Sequence, residues 1–374
     1  MMQKYAIVGV VIVVIAVVAG AVVLMSGPAP SPTPTTSPTT VPTTATTTPA
    51  RKLKIAMIEP STPIDDLGWG QSFYEPIKKV ADDLGYELSV SELFPFPELE
   101  PTIRDYAEKG YDLIIGVGVE CQEAISAVAP SYPNSYFVCY YGYEAKSANS
   151  YAMEPNTQEV CFLAGIIAGS MTKSNKVGNV GGIPFPTVSK EQEAFKLGAL
   201  WINPNVKVYG AWTGSFVDLT AAREAATSQF QEGVDWIISG DHMALVVIST
   251  AMEYGDRYFV AEYYNPVSVA PDVVVTATSH NIEGATRMLI DRILKGTWKQ
   301  EAVSLGLKDS MVSLAPYGKF DKIIPQEVKD KVEMAKQAII KGTLQVPYID
   351  KALTEEEFIT YVQELPTPEE IFGS

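Results

Sequence analysis

The sequence predicts an α/β protein: two doubly wound parallel-sheet lobes joined by a hinge and preceded by an N-terminal transmembrane helix. Three observations carry this expectation. Beyond residue 51, short runs rich in Val, Ile, Tyr and Phe alternate with longer amphipathic stretches, the pattern of strands and crossover helices. The short runs are nearly continuous in apolar residues, as parallel strands covered on both faces are. The chain has 374 residues, enough for two such lobes with some length left over.

That extra length lies at the N-terminus. Residues 6–25 form a run of 20 without a charged side chain, which as a helix would be about 30 Å long, the thickness of a bilayer core. Lys4 precedes the run and no basic residue follows before Arg51, so the positive-inside rule places the remainder outside the cytoplasm. A cleaved signal peptide is the rival reading, but its apolar core is usually shorter and ends in a small-residue cleavage site. Here the run ends Leu24-Met25-Ser26-Gly27. In residues 27–50, 19 of 24 are Thr, Pro or Ser and none is charged, a composition that cannot bury a core. Its extended reach is roughly 75 Å. A plain linker and an O-glycosylated stalk both fit.

Within the head, strands are expected at 54–58, 87–91, 112–117, 136–141, 176–181, 207–212, 236–239, 258–263 and 273–278. Helices are expected at 73–84, 102–109, 157–171, 189–201, 220–232 and 245–254. The resulting division is 1–26 anchor, 27–51 linker, 52–148 with 274–300 as one lobe, and 149–273 with 301–374 as the other. Hinge crossings are then expected near 146–150, 272–276 and 298–304.

Open parallel sheets bind ligands beyond the carboxyl ends of their strands. Those positions hold Asp66, Trp69 and Gln71 after the first strand, then Glu120, Tyr141 and Glu144. Later strands end at Trp212 and Phe216, at Asp241 and His242, and at Glu262 and Tyr263. Aromatics mixed with carboxylates suit a flat, neutral or donor-rich ligand. They suit phosphates poorly, since those want Arg, Lys or helix N-termini.

Composition narrows the function further. A formal net charge of −16 disfavours nucleic acid as a partner. Two histidines and three cysteines, without ligand spacing, argue against a metal site, and no cofactor is expected. Neither a dinucleotide fingerprint, a P-loop nor a nucleophile elbow is present, so no enzymatic activity is expected. Asp241-His242 lacks an accompanying nucleophile motif. Cys121, Cys139 and Cys161 fit either one disulfide with a spare thiol or three buried thiols.

The stretch from Cys161 to Gly178, CFLAGIIAGSMTKSNKVG, resembles the central segment of the basic membrane protein (BMP, PnrA-like) family of ABC-transporter substrate-binding proteins. Gly181-Gly182-Ile183-Pro184, Asn203-Pro204, Gln231-Glu232-Gly233-Val234-Asp235 and Leu305-Gly306-Leu307 continue the likeness over roughly residues 52–348. The resemblance implies a type I periplasmic-binding-protein fold that binds a purine base, nucleoside or similar small solute between its lobes and delivers it to an ABC permease. Trp69 stands where the family has a stacking aromatic, while Gly70 replaces an asparagine. Tyr141 and Tyr263 stand at aspartate positions, and His280 at a lysine position. These departures point towards free purine bases, which need stacking but no sugar contacts. A sensor of the same fold coupled to a signalling partner is the alternative, and an extracytoplasmic nucleoside hydrolase a further one. The expected location is the cell membrane, with a single N-terminal anchor and the head extracytoplasmic.

Overall fold

Two six-stranded sheets organise residues 51–373, the part of the chain that the computed structural model describes. The expected anchor and linker lie outside the described residues. The strands are β1 (Lys54–Glu59), β2 (Glu87–Glu92), β3 (Leu113–Val117), β4 (Tyr136–Tyr140), β5 (Ser150–Pro155) and β6 (Lys176–Gly181), then β7 (Lys207–Trp212), β8 (Trp236–Ser239), β9 (Tyr258–Ala261), β10 (Val274–His280), β11 (Glu301–Leu305) and β12 (Val312–Leu314). The helices are α1 (Trp69–Leu84), α2 (Leu99–Glu108), α3 (Cys121–Val128), α4 (Thr157–Met171), α5 (Pro186–Ile202) and α6 (Leu219–Gln231). They continue with α7 (Ala244–Tyr254), α8 (Ile282–Lys295), α9 (Gln326–Lys341), α10 (Glu355–Glu364) and α11 (Pro368–Phe372).

The first sheet runs β11-β5-β4-β3-β1-β2 and is parallel throughout. The second runs β12-β10-β9-β8-β6-β7, parallel except for the short β12. Central strands such as β3 (LIIGV) and β8 (WIIS) are buried along their whole length, as the apolar runs require.

Sheet pairing corrects the expected lobe division. β5 pairs with β4, and β11 pairs with β5, so both complete the first sheet. β10 pairs with β9 and belongs to the second. Each crossing therefore follows its strand, and the lobes comprise 51–155 with 282–305, and 157–280 with 307–373. The expected crossings fall several residues early because β5 (SYAMEP) and β11 (EAVSL) carry no long apolar run. β11 is an edge strand and needs none.

The glycine-rich stretch beginning at Cys161 has a packing explanation. α4 lies against α5 so closely that a Cβ on Gly165 would sit 2.0 Å from the Phe195 carbonyl oxygen. One on Gly198 would sit 2.2 Å from that of Phe162. Small residues at these points let the two backbones touch, and α4 is buried almost all round.

Candidate functional site

The carboxyl ends of the strands of both sheets face one cleft, with about 370 Å³ of empty space including its mouth. The first lobe lines it with Ser61, Trp69, Gly118, Val119, Glu120 and Tyr141. The second contributes Phe185, Thr187, Val188, Phe216, Asp241 and Tyr263. Three of these are non-glycine residues with left-handed backbone: Tyr141 (φ 64°), Asp241 (φ 55°) and Tyr263 (φ 70°). Each stands one or two residues beyond a strand, where the chain must turn sharply. Positive φ at a bulky residue is costly and persists where surrounding contacts hold it, often at functional sites.

Trp69 is the centre of an aromatic wall. Its ring centroid lies 4.8 Å from those of both Tyr141 and Tyr263, at interplanar angles of 65° and 79°. The indole Nε1 donates to Glu59 Oε2 at 2.8 Å. The other oxygen of Glu59 accepts from the backbone N–H groups of Ser61 and Thr62. Phe216 packs on Phe185, with centroids 5.9 Å apart, on the second lobe. The lobes meet in this structure. Trp69 touches Tyr263 across the cleft, and a Cβ on Gly68 would lie 2.3 Å from the Asp241 carbonyl oxygen.

The cleft is acidic. Asp241 is only 5% exposed, and its carboxylate makes no hydrogen bond among the described residues. Burial, reinforced by the charges of Asp66, Glu191 and Glu120, pushes its carboxyl well above the usual range. Burial likewise raises Glu120, against a hydrogen bond donated by Ser61 Oγ. None of the lining residues is Lys, Arg or His. Nor do the described residues contain a group of three or more His, Cys, Asp and Glu that could hold a metal ion.

Behind the aromatic wall lies a polar network that ties the lobes together. Glu191 of α5, fully buried, accepts from Tyr141 Oη at 3.0 Å, from Tyr263 Oη and from Thr157 Oγ1. Burial raises its carboxyl to about 7, against the pull of Lys190 and the three hydroxyls. His280 Nε2 stands 3.0 Å from Tyr141 Oη, and burial beside Lys190 lowers its imidazole to about 3, so the ring is neutral. Lys190 pairs with Glu154 of β5 and donates to the Pro155 carbonyl at 2.7 Å. Its Nζ also sits 5.1 Å from the Tyr141 ring centroid. Tyr141 and Glu154 belong to the first lobe, Lys190, Glu191 and Tyr263 to the second.

Of the residues expected at the site, Trp69, Glu120, Tyr141, Phe216, Asp241 and Tyr263 line the cleft. The other six do not. Asp66 accepts from the N–H groups of Gly68, Gly70 and Gln71, capping α1, which starts four residues earlier than expected. Gln71 Oε1 accepts from Leu67 N–H and so fixes the same loop. Glu144 pairs with Lys146 at 2.5 Å on the surface. Trp212 packs over Gly181, and His242 follows Asp241 but is not among the lining residues. Glu262 is buried deeper, accepting from Gln192 Nε2 at 2.8 Å. The expected set leaves out Ser61, Gly118, Val119, Phe185, Thr187 and Val188 of the lining, and the whole Glu191 network. All three cysteines are buried and free.

Comparison with known proteins agrees with this architecture. The family described as "ABC transporter substrate-binding protein PnrA-like" matches residues 52–350. The chain is 26% identical over 302 residues to Basic membrane protein A of Borreliella afzelii, covering 79% of this chain and 91% of that one. It is 28% identical over 299 residues to a purine-binding protein of Brucella abortus, covering 78% and 82%. A solved solute-binding protein of an ABC transporter system from Aeropyrum pernix superposes with a TM-score of 0.73 at 20% identity, covering 83% of this chain and 97% of that chain.

Proposed function

The chain belongs to the PnrA-like family of ABC transporter substrate-binding proteins, and from that premise we propose that its head closes over a purine base or nucleoside and presents it to a membrane permease. The observation that carries the ligand reading is the cleft itself, with aromatic side chains from both lobes and carboxylates as its only charged groups. A flat ring with N–H donors on its edges meets stacking partners and acceptors there. The purine-binding relative supports the same reading. Tyr141 and Tyr263 already use their hydroxyls on Glu191, which favours a ligand read by its ring over one read by a sugar.

Phe216 provides the test. It is half-buried and lines the cleft, whereas Trp69 is 8% exposed and bonded to Glu59, so removing Trp69 would also disturb packing. Base stacking contributes about 1–3 kcal/mol per aromatic. Phe216→Ala is therefore expected to weaken adenine or adenosine binding by roughly tenfold to hundredfold, with thermal stability nearly unchanged. Calorimetric affinities equal to wild type would place the ring elsewhere.

The same reading includes an uncleaved anchor in residues 6–25, supported by the uncharged run and the charge asymmetry around it. The full chain should sediment with membranes and be released only by detergent. Recovery of a native soluble chain starting near residue 27 would mean a cleaved signal instead.

A further inference from the structure

We propose that the ligand of this cleft is a flat heteroaromatic compound bound as a cation, its positive charge shared between Asp241 of one lobe and Glu120 of the other. The inference rests on the receptor reading above and specifies its ligand class. It begins with Asp241, a carboxylate nine-tenths buried, lining the cleft, and without a hydrogen-bond donor among the described residues. A buried carboxylate without a partner is strongly unfavourable, and it is relieved either by taking up a proton or by a paired opposite charge. No neighbouring side chain supplies one. The buried cation near the cleft, Lys190, sits behind the Tyr141 ring and is already paired with Glu154.

Glu120 lines the same space, held by Ser61 Oγ and by its own backbone N–H. Further back, Glu59, Asp66, Glu191 and Glu262 are buried too, and burial pushes each of their carboxyls up, towards the protonated form. Burial raises the carboxyls of Asp241 and Glu120, and a cation between them would favour their ionised forms. The walls add to this, because the faces of Trp, Tyr and Phe attract cations. A neutral ring would leave the two carboxyls disposed to stay protonated, whereas a cation lets them ionise and pair with it. An anion would meet two carboxylates and no cation among the lining residues. Among purines, an amino-substituted ring that takes up a proton on an amidine-type nitrogen fits, whereas acidic oxopurines and nucleotides are rejected.

Two probe pairs of matched shape test the assignment on the purified head: benzamidine against benzoate, and adenine against urate. Affinities are read by calorimetry at neutral pH. The expected result is that benzamidine exceeds benzoate, and adenine exceeds urate, by about a hundredfold or more. Asp241→Asn keeps the shape and tolerates the left-handed backbone. That change and Glu120→Gln should each cut the discrimination by about tenfold, chiefly by strengthening the anionic member's binding. Equal or tighter binding of benzoate or urate to wild type overturns the charge assignment and leaves the receptor reading intact. Discrimination unchanged in both variants overturns the roles of Asp241 and Glu120. Failure of all four probes to bind also overturns the assignment, whereas the receptor reading fails only if no bound compound closes the lobes.

Discussion

Replacing Gly68 by alanine is expected to weaken ligand binding by roughly tenfold to hundredfold while leaving both lobes folded. The added methyl would lie 2.3 Å from the Asp241 carbonyl oxygen, a backbone atom of the opposite lobe that has no side-chain freedom to yield. Overpacking of this kind costs about 1–3 kcal/mol. Gly68 has φ −145°, outside the left-handed region, so the effect is argued from the contact alone. That contact exists only when the lobes meet. The open form should therefore tolerate alanine, with a melting temperature close to wild type in the absence of ligand. Unchanged affinity, or a melting temperature that collapses without ligand, would each show that Gly68 is not a closure contact.

Removing Glu191 is expected to destabilise the head by about 3 kcal/mol, because Glu191→Leu leaves the buried hydroxyls of Tyr141, Tyr263 and Thr157 without their acceptor. Glu191→Gln keeps an acceptor and isolates the charge. With the folded carboxyl near 7 and the unfolded one in the ordinary range, the fold favours the protonated form. Its contribution to stability is complete below the ordinary carboxylate range and is lost as pH rises through about 7. Wild type should accordingly lose stability relative to Glu191→Gln between about pH 5 and pH 8. Denaturant midpoints at unit intervals of pH would read this, and a constant difference across the range contradicts the buried, proton-favouring environment.

The parts of this architecture legible in the sequence are those written in apolar runs. β1, β3 and β8 are central strands buried on both faces, and their near-continuous hydrophobic character marks them without ambiguity. The residues beyond them follow, and half of the expected site residues do line the cleft. What stayed hidden was polar. Lys190-Glu191-Gln192-Glu193 reads as a solvated helical face, yet all four side chains are buried: Lys190, Glu191 and Gln192 bond to Glu154, Tyr141 and Glu262, and Glu193 accepts from Lys196 and from the Leu353 N–H. Such pairing depends on tertiary proximity that no local pattern encodes. Asp66 shows the converse. It was expected to meet the ligand, but its three bonds to nearby backbone N–H groups make it the cap of α1. A carboxylate two or three residues before a helix is ambiguous between these roles until the helix start is known. β5 and β11 escaped because an edge or hinge strand needs little apolar character, and the lobe boundaries shifted with them.

We propose that the head closes on its ligand, with Gly68 against Asp241 and Tyr141 against Glu191 as closed-state contacts. A ligand drives closure only by binding the closed form more tightly, and inverting a 99:1 ratio requires about 10⁴-fold preference. Small-angle scattering of the head with and without saturating adenine or adenosine tests this most directly. The radius of gyration of the wild type should fall when a bound ligand is present, and that of Gly68→Ala should fall less. An unchanged wild-type radius with a ligand that calorimetry shows to be bound would contradict the closing mechanism.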